Sequence, residues 1–483
     1  MKTKLISTTT PLPLFGILAI SCTLFLTASL CAAQKETPLP KDLPSYGAEK
    51  PLQTPDVKSS KLDNGLSIWL VSEPGFPKVA LTVAVRGGLA ADPANRPGIS
   101  ELLSKTIDQG TRTRSARQVA EQLQSAGGDL NASAFKDYLE ISTVVLSSKI
   151  DGAVAVLADL LENASFPDAE VELAKRNLTD SLEQREAETG FLVARARDRI
   201  LFGDHPYHVS SPTRESVAAA TAPELREIFA RRFRPDQAMF IAVGDFESDK
   251  MLGLLKSALG SWKAPSNSPS AGPTPPSTSI EHAVYIVPRP GSVQTTIELA
   301  AFGPKRGDPD YEYAEVANAI YGGTFSSRLT ANIREDKGYT YSPYSYVRPF
   351  QAAAEIVSHA DVRNDVTGPT LNEMQYELNR LATTSPTAEE LSKAKRYLLG
   401  NDAIRLQDRG ALASMLSTLW AAGLQPDQIG IRGQKVSGAT PDQVNAAART
   451  YFSAYRTAVI AVGEEKLVRE AVSPFGLTVR AAP

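Results

Sequence analysis

Residues 66–71 and 79–85 are apolar runs rich in β-branched side chains, joined by a Gly/Pro turn, and predict two strands. Beyond them the period changes. Residues 115–125 carry apolar positions at helical spacing, closed by Gly127-Gly128. A strand over 138–146, helices over 150–161 and 169–188, and a late strand over 238–243 follow. A second series has strands over 283–287 and 295–302, helices over 372–381 and 388–406, and a late strand over 458–462. Strands adjacent in sequence predict largely antiparallel pairing. The expected fold class is α+β, with helices packed on one face of each sheet.

The two series repeat each other. Ile241-Ala242-Val243-Gly244-Asp245 returns 219 residues later as Ile460-Ala461-Val462-Gly463-Glu464. Thr221-Ala222-Pro223-Glu224 returns as Thr440-Pro441-Asp442-Gln443 at the same offset, both with the hydroxyl cap and first-turn proline of a helix start. Pro167-Asp168-Ala169-Glu170 matches Pro386-Thr387-Ala388-Glu389, again 219 residues on. Between the series, residues 264–279 are dense in Pro, Ser and Gly and read as a semi-stiff linker. The expected organisation is two homologous domains, 50–263 and 280–483.

The N-terminus changes the picture of where the chain works. Lys2 and Lys4 precede an apolar run over 13–30 and the small residues Cys31-Ala32-Ala33, the pattern of a signal peptide over 1–33. The expected location is the periplasm. An uncleaved anchor or a lipidated cysteine, Cys22 or Cys31, are alternative fates for the same segment. Both cysteines of the chain lie in it, so the mature chain has no disulfide and no thiolate for a metal. Loss of Lys2 and Lys4 takes the net charge from −3 to −5, mild and interspersed, which gives no sign of a nucleic-acid partner.

Candidate chemistry is sparse. The four histidines, His205, His208, His282 and His359, form no His-x-x-Glu-His or reverse motif. His205 and His208 read as loop histidines. Gly-x-Ser-x-Gly is absent, and Gly322-Gly323 lacks the Gly-Lys-Ser/Thr of a phosphate loop. More distinctive is Tyr321-Gly322-Gly323-Thr324-Phe325-Ser326-Ser327-Arg328-Leu329, then a helical stretch to Arg334, a turn at Lys337-Gly338, and Tyr339-Thr340-Tyr341-Ser342 opening a strand. Arg334 and Tyr341 could hold a peptide carbonyl or an oxyanion. A helix-capping Arg and a sheet-packed Tyr are the structural alternative.

The duplicated α+β halves and this motif resemble the M16 (insulinase/pitrilysin-like) metallopeptidases over nearly the whole mature chain. The family's zinc helix carries His-x-x-Glu-His. Here the corresponding context is Val85-Arg86-Gly87-Gly88-Leu89-Ala90-Ala91-Asp92, then Gly98 and Gly110-Thr111. The resemblance places Glu101 and Lys105 at the two histidines and Ser104 at the catalytic glutamate. Ser181 falls at the third ligand, with Asp180 and Glu183 within slipping distance. Asn131-Ala132-Ser133 and Phe202-Gly203-Asp204-His205-Pro206-Tyr207 match further family stretches, and the family's substrate-binding Arg and Tyr fall on Arg334 and Tyr341.

The resemblance implies a non-catalytic, substrate-binding subunit of a periplasmic zinc-dependent peptidase heterodimer. No catalytic residue of its own and no metal are expected in this chain. Zinc is expected in a partner subunit carrying His-x-x-Glu-His, and Arg334 and Tyr341 would bind the peptide substrate. Two alternatives stay open: a homodimeric peptide-binding scaffold without hydrolytic activity, and an active zinc peptidase with unusual ligands.

Overall fold

The computed structural model describes residues 51–266, 268–269 and 272–483, so the expected signal peptide lies outside the described residues. The first half runs β1 (Lys58–Lys61), β2 (Ser67–Ser72), β3 (Lys78–Arg86), α1 (Ile99–Thr106), α2 (Ala116–Ser125), β4 (Asn131–Ala134), β5 (Tyr138–Leu146), α3 (Ile150–Asn163), α4 (Asp168–Glu186), α5 (Thr189–Phe202), α6 (Arg214–Ala219), α7 (Ala222–Arg232), β6 (Ala238–Gly244) and α8 (Ser248–Leu259). After 264–279, which holds no helix or strand among its described residues, come β7 (Val284–Pro288), β8 (Gln294–Phe302), α9 (Tyr311–Tyr321), β9 (Tyr344–Pro349) and β10 (Ala354–Arg363). The chain closes with α10 (Thr367–Thr383), α11 (Ala388–Gln407), α12 (Arg409–Ala421), α13 (Gln428–Gly438), α14 (Pro441–Tyr451), β11 (Ala458–Gly463), α15 (Glu465–Val472) and β12 (Val479–Ala481).

The strands form two six-stranded sheets, ordered β1-β2-β6-β3-β5-β4 and β12-β7-β11-β8-β10-β9. Each is mainly antiparallel, with parallel pairing of β2 to β6 in the first and of β7 to β11 and β12 in the second. The fold is therefore α+β. Local connectivity misleads at one point in each half, and in the second β7 and β8 are parted by β11. β2 and β3 follow each other in sequence yet do not pair, because the late strand β6 lies between them. All seven positions of β6 are buried, and all six of β11, so both faces of these strands must be covered, which a central place in the sheet allows.

That burial also corrects the expectation of helices on one face only. Ile68, Leu70, Leu81, Val83, Phe240 and Ala242 point into a core with helices of their own half. Trp69, Val71, Ala80, Met239, Ile241 and Val243 alternate to the opposite face, where α12 of the second half lays Leu412, Ala413 and Leu416 against them. The second sheet is covered reciprocally: Val193, Ala196, Leu201 and Phe202 of α5 pack on Ala300, Ala458, Ile460 and Val462. α5 and α12 end at Phe202 and Ala421, 219 residues apart, so the same repeat unit lends its helix across in both directions. Residues Leu52–Pro483 accordingly form one compact unit. Among the described residues no helix is long and apolar enough to cross a membrane.

Candidate functional site

The region expected to resemble a zinc site is built on α1. Its N-cap is Gly98 at φ 77°, and an added Cβ there would stand 2.2 Å from the Pro212 nitrogen, so only glycine lets the chain enter the helix at this point. The helix start is fixed from below. Arg232 donates to the Asp92 carboxylate at 3.0 Å and to Ser100 Oγ at 2.6 Å, and the Ser100 hydroxyl donates to Asp92. Burial raises the Asp92 carboxyl above the usual range, against the pull of Arg232.

Glu101 and Lys105 lie one turn apart on α1 and face Asn177, Ser181 and Arg185 of α4 across a cavity of about 460 Å³. The structure thus brings three of the four positions read from the resemblance to one place. Ser181 lines the cavity, while Asp180 and Glu183 do not. Ser104 does not reach it either. Its side chain is buried and donates 2.8 Å back to the Glu101 carbonyl in its own helix.

The donor set does not fit zinc. No imidazole or thiolate lines the cavity, and its carboxylates are Glu101 and Glu170 alone. Glu101 is held at 3.0 Å by Arg185, and Lys105 brings a second cation where a ligand lone pair would be needed. Among the described residues no group of three or more His, Cys, Asp and Glu side chains is arranged to hold a metal. His205 and His208 bond to the backbone instead. His205 Nε2 lies 2.7 Å from the Thr274 carbonyl, its Nδ1 accepts from Tyr207 N, and His208 Nδ1 lies 2.9 Å from the His205 carbonyl.

Arg334 and Tyr341 stand in the second half. After α9 the chain passes through Gly322-Gly323, where a Cβ on Gly322 would meet Ser345 at 2.8 Å and one on Gly323 would meet Asn318 Nδ2 at 2.7 Å. Two glycines therefore let the end of α9 dock on β9, where Asn318 exchanges hydrogen bonds with Ser345. Residues Thr330–Asp336 then wind as a π-helix, a rare form often found at functional sites. Its base is anchored by Arg328, which pairs at 2.6 and 3.0 Å with Glu390 in the capping box of α11. Although burial opposes it, hydrogen bonds from Arg328 and Thr387 pull the Glu390 carboxyl down to about 2.

On this frame the Arg334 guanidinium stacks between two rings, 4.2 Å from the Phe325 centroid and 4.9 Å from that of Tyr341. Both rings are open to solvent, Tyr341 at 80% and Phe325 at 71%. Tyr341 is not on a strand as expected: β9 starts at Tyr344, and Tyr341 belongs to the loop before it. Phe325 is a member of the site that sequence reasoning missed. Its signal was an aromatic residue inside an otherwise small and polar glycine-rich stretch. Only first-half residues line the α1/α4 cavity, so the Arg334 cluster is a separate surface.

Two family models match the chain, the insulinase (peptidase family M16) model over residues 67–211 and the peptidase M16 inactive domain over residues 219–398. The chain belongs to the M16 peptidase family. It is 26% identical to an uncharacterized zinc protease of Streptomyces coelicolor over 404 residues, covering 81% of this chain and 86% of that protein. It is 25% identical to the uncharacterized zinc protease YmxG of Bacillus subtilis over 364 residues, covering 74% and 86%. The crystal structure of a peptidase M16 inactive domain from Pseudomonas fluorescens superposes with a TM-score of 0.79 at 24% identity, over 84% of this chain and 98% of that one.

Proposed function

We propose that this chain is the non-catalytic, substrate-binding subunit of a periplasmic zinc-dependent M16 peptidase heterodimer, with residues 50–263 and 280–483 as its two homologous domains. The observation that carries the reading is the contrast between its two constellations. At the zinc position stand an ion pair, Glu101–Arg185, and the ammonium of Lys105, and Ser104 is turned away. The Arg334–Tyr341 pair is present and stacked, with the Tyr341 ring open to solvent and the half-buried Arg334 also paired to Glu335 at 3.3 Å. The zinc and the general base come from a partner carrying His-x-x-Glu-His, and this chain brings none of its own. Arg334 and the Tyr341 hydroxyl donate hydrogen bonds to the carbonyl oxygen of the bound peptide, which strengthen as negative charge develops there.

The test has two parts. Zinc analysis of the untagged mature chain alone is expected to give far less than one zinc per chain; one tightly held zinc would return the chain to the active peptidases. With its partner, Tyr341→Phe and Arg334→Ala are each expected to lower peptide turnover roughly 10²-fold, the usual loss for one oxyanion donor. Assembly, followed by gel filtration, is expected to persist because both side chains lie at an exposed loop and helix end. Unchanged turnover in both variants would remove the proposed role and favour a homodimeric peptide-binding scaffold.

A further inference from the structure

A second cavity, also of about 460 Å³, opens between the two halves. Its walls come from the β4–β5 turn, α5 and the C-terminal end of α4 on one side, and from β9, the chain after β8 and the end of α12 on the other. Phe135, Tyr138, Phe191 and Phe350 supply aromatic surface. The charges are unusual for an interior: Lys136, Arg185, Arg197, Arg306 and Arg348 all line it, against Asp137 and Asp198.

The two lining carboxylates are already engaged. Asp198 accepts from Lys136 at 2.7 Å and pairs with Arg197. Asp137 accepts from the Tyr207 hydroxyl at 2.6 Å and from Gln351 N at 2.8 Å. Glu355, just behind the wall, pairs with Arg197 and Arg348, and Glu101 pairs with Arg185. Arg306 is different. Among the described residues no carboxylate lies within ion-pair distance of it; it donates to the Tyr311 hydroxyl at 3.4 Å and lies over the Tyr311 ring, 5.4 Å from its centroid.

A guanidinium that faces a cavity without a carboxylate partner, beside cations whose carboxylates are already engaged, leaves an excess of positive charge that a bound anion offsets. An arginine fork matches a carboxylate, and the volume and the aromatic walls match a small ligand with an apolar body. We infer that this interdomain cavity is a binding site for an organic carboxylate bearing an aromatic group, with Arg306 as its principal counter-charge. Such a carboxylate is the C-terminus of a peptide ending in an aromatic residue, or a free aromatic acid. The inference does not depend on the peptidase pairing, since every residue it uses lies in this chain.

Calorimetric titration of the full mature chain with three probes tests it: N-acetyl-L-phenylalanine, the corresponding carboxamide, and phenylacetate. N-acetyl-L-phenylalanine is expected to bind at least about tenfold more tightly than the carboxamide, the effect of one charge-assisted hydrogen bond. Arg306→Gln is expected to erase that preference and Arg306→Lys to keep part of it, with melting temperatures of the unliganded variants showing that each is folded. Phenylacetate binding as well as N-acetyl-L-phenylalanine assigns the site to free acids; its binding more weakly assigns it to peptide C-termini. Equal affinity for acid and carboxamide, an unchanged preference in Arg306→Gln, or no binding of any probe at millimolar concentration would overturn the proposal.

Discussion

His359 shows how a single side chain can carry the pH dependence of the second half. It is buried on β10, with Nδ1 3.2 Å from Glu298 of β8 and Nε2 3.2 Å from Asp361, and its ring stacks on Tyr344 of β9. Arg197 of α5 shares Glu298. Burial works against the imidazolium, but the two carboxylates outweigh it and raise the group to about 9. A pKa raised on folding means stability that is complete below the unfolded value of roughly 6.5 and is lost as pH rises through about 9. Urea titrations at pH 6 and pH 9.5 should therefore differ by on the order of 1–3 kcal/mol. In His359→Gln that difference should shrink; a slope that survives the substitution would assign the effect to other groups. This role was not visible beforehand, since His359 is an isolated histidine whose partners come from another strand and from its own strand two residues on. Phe325 was hidden for the same reason: its stack on Arg334 spans nine residues of irregular chain, and no periodicity reports such a contact.

At the level of elements, most strands were legible, even the fully buried β6 and β11 with their apolar β-rich runs, and so were the helices with one polar face. β5, α11 and α2 lie where alternation or helical spacing put them, to within a residue or two at their ends. α5 and α12 escaped, although α12 is thirteen residues long. Its buried positions include Leu412, Ala413, Met415, Leu416, Ser417 and Leu419, which wrap around the helix and blur the 3.6-residue signal. These helices are also the ones that join the halves. Leu416 is fully buried against the first sheet, so Leu416→Ala should destabilise the chain by about 2–5 kcal/mol, measured by urea denaturation. A loss near zero would mean that α12 does not hold the first sheet.

For the whole molecule the reciprocal packing has a consequence for the linker. Each sheet leaves apolar residues facing a helix supplied by the other half, so the covalent connection over 264–279 adds little to their association. Limited proteolysis within that segment, whose described residues are largely exposed, should give two fragments that still migrate as one particle in gel filtration and separate only in denaturant. Fragments that part in native buffer would show that the exchanged helices are weaker than their burial suggests.

The sequence by itself determined the duplication, the α+β class, the absence of a His-x-x-Glu-His motif and the presence of an arginine and a tyrosine seven residues apart at 334 and 341, because each is a matter of residue type at a fixed spacing. The resemblance to the family expected Glu101, Lys105 and Ser181 at one place, and the fold gathers them around one cavity. Only the tertiary structure decided that β6 enters between β2 and β3, that α5 and α12 trade places, that Ser104 turns away, and that Phe325 clamps Arg334. It alone brought five cations from separate elements to the cavity between the halves. Local pattern records which face of an element must be buried; it does not record what buries it, since the partner is chosen by the burial of apolar surface among elements distant in the chain.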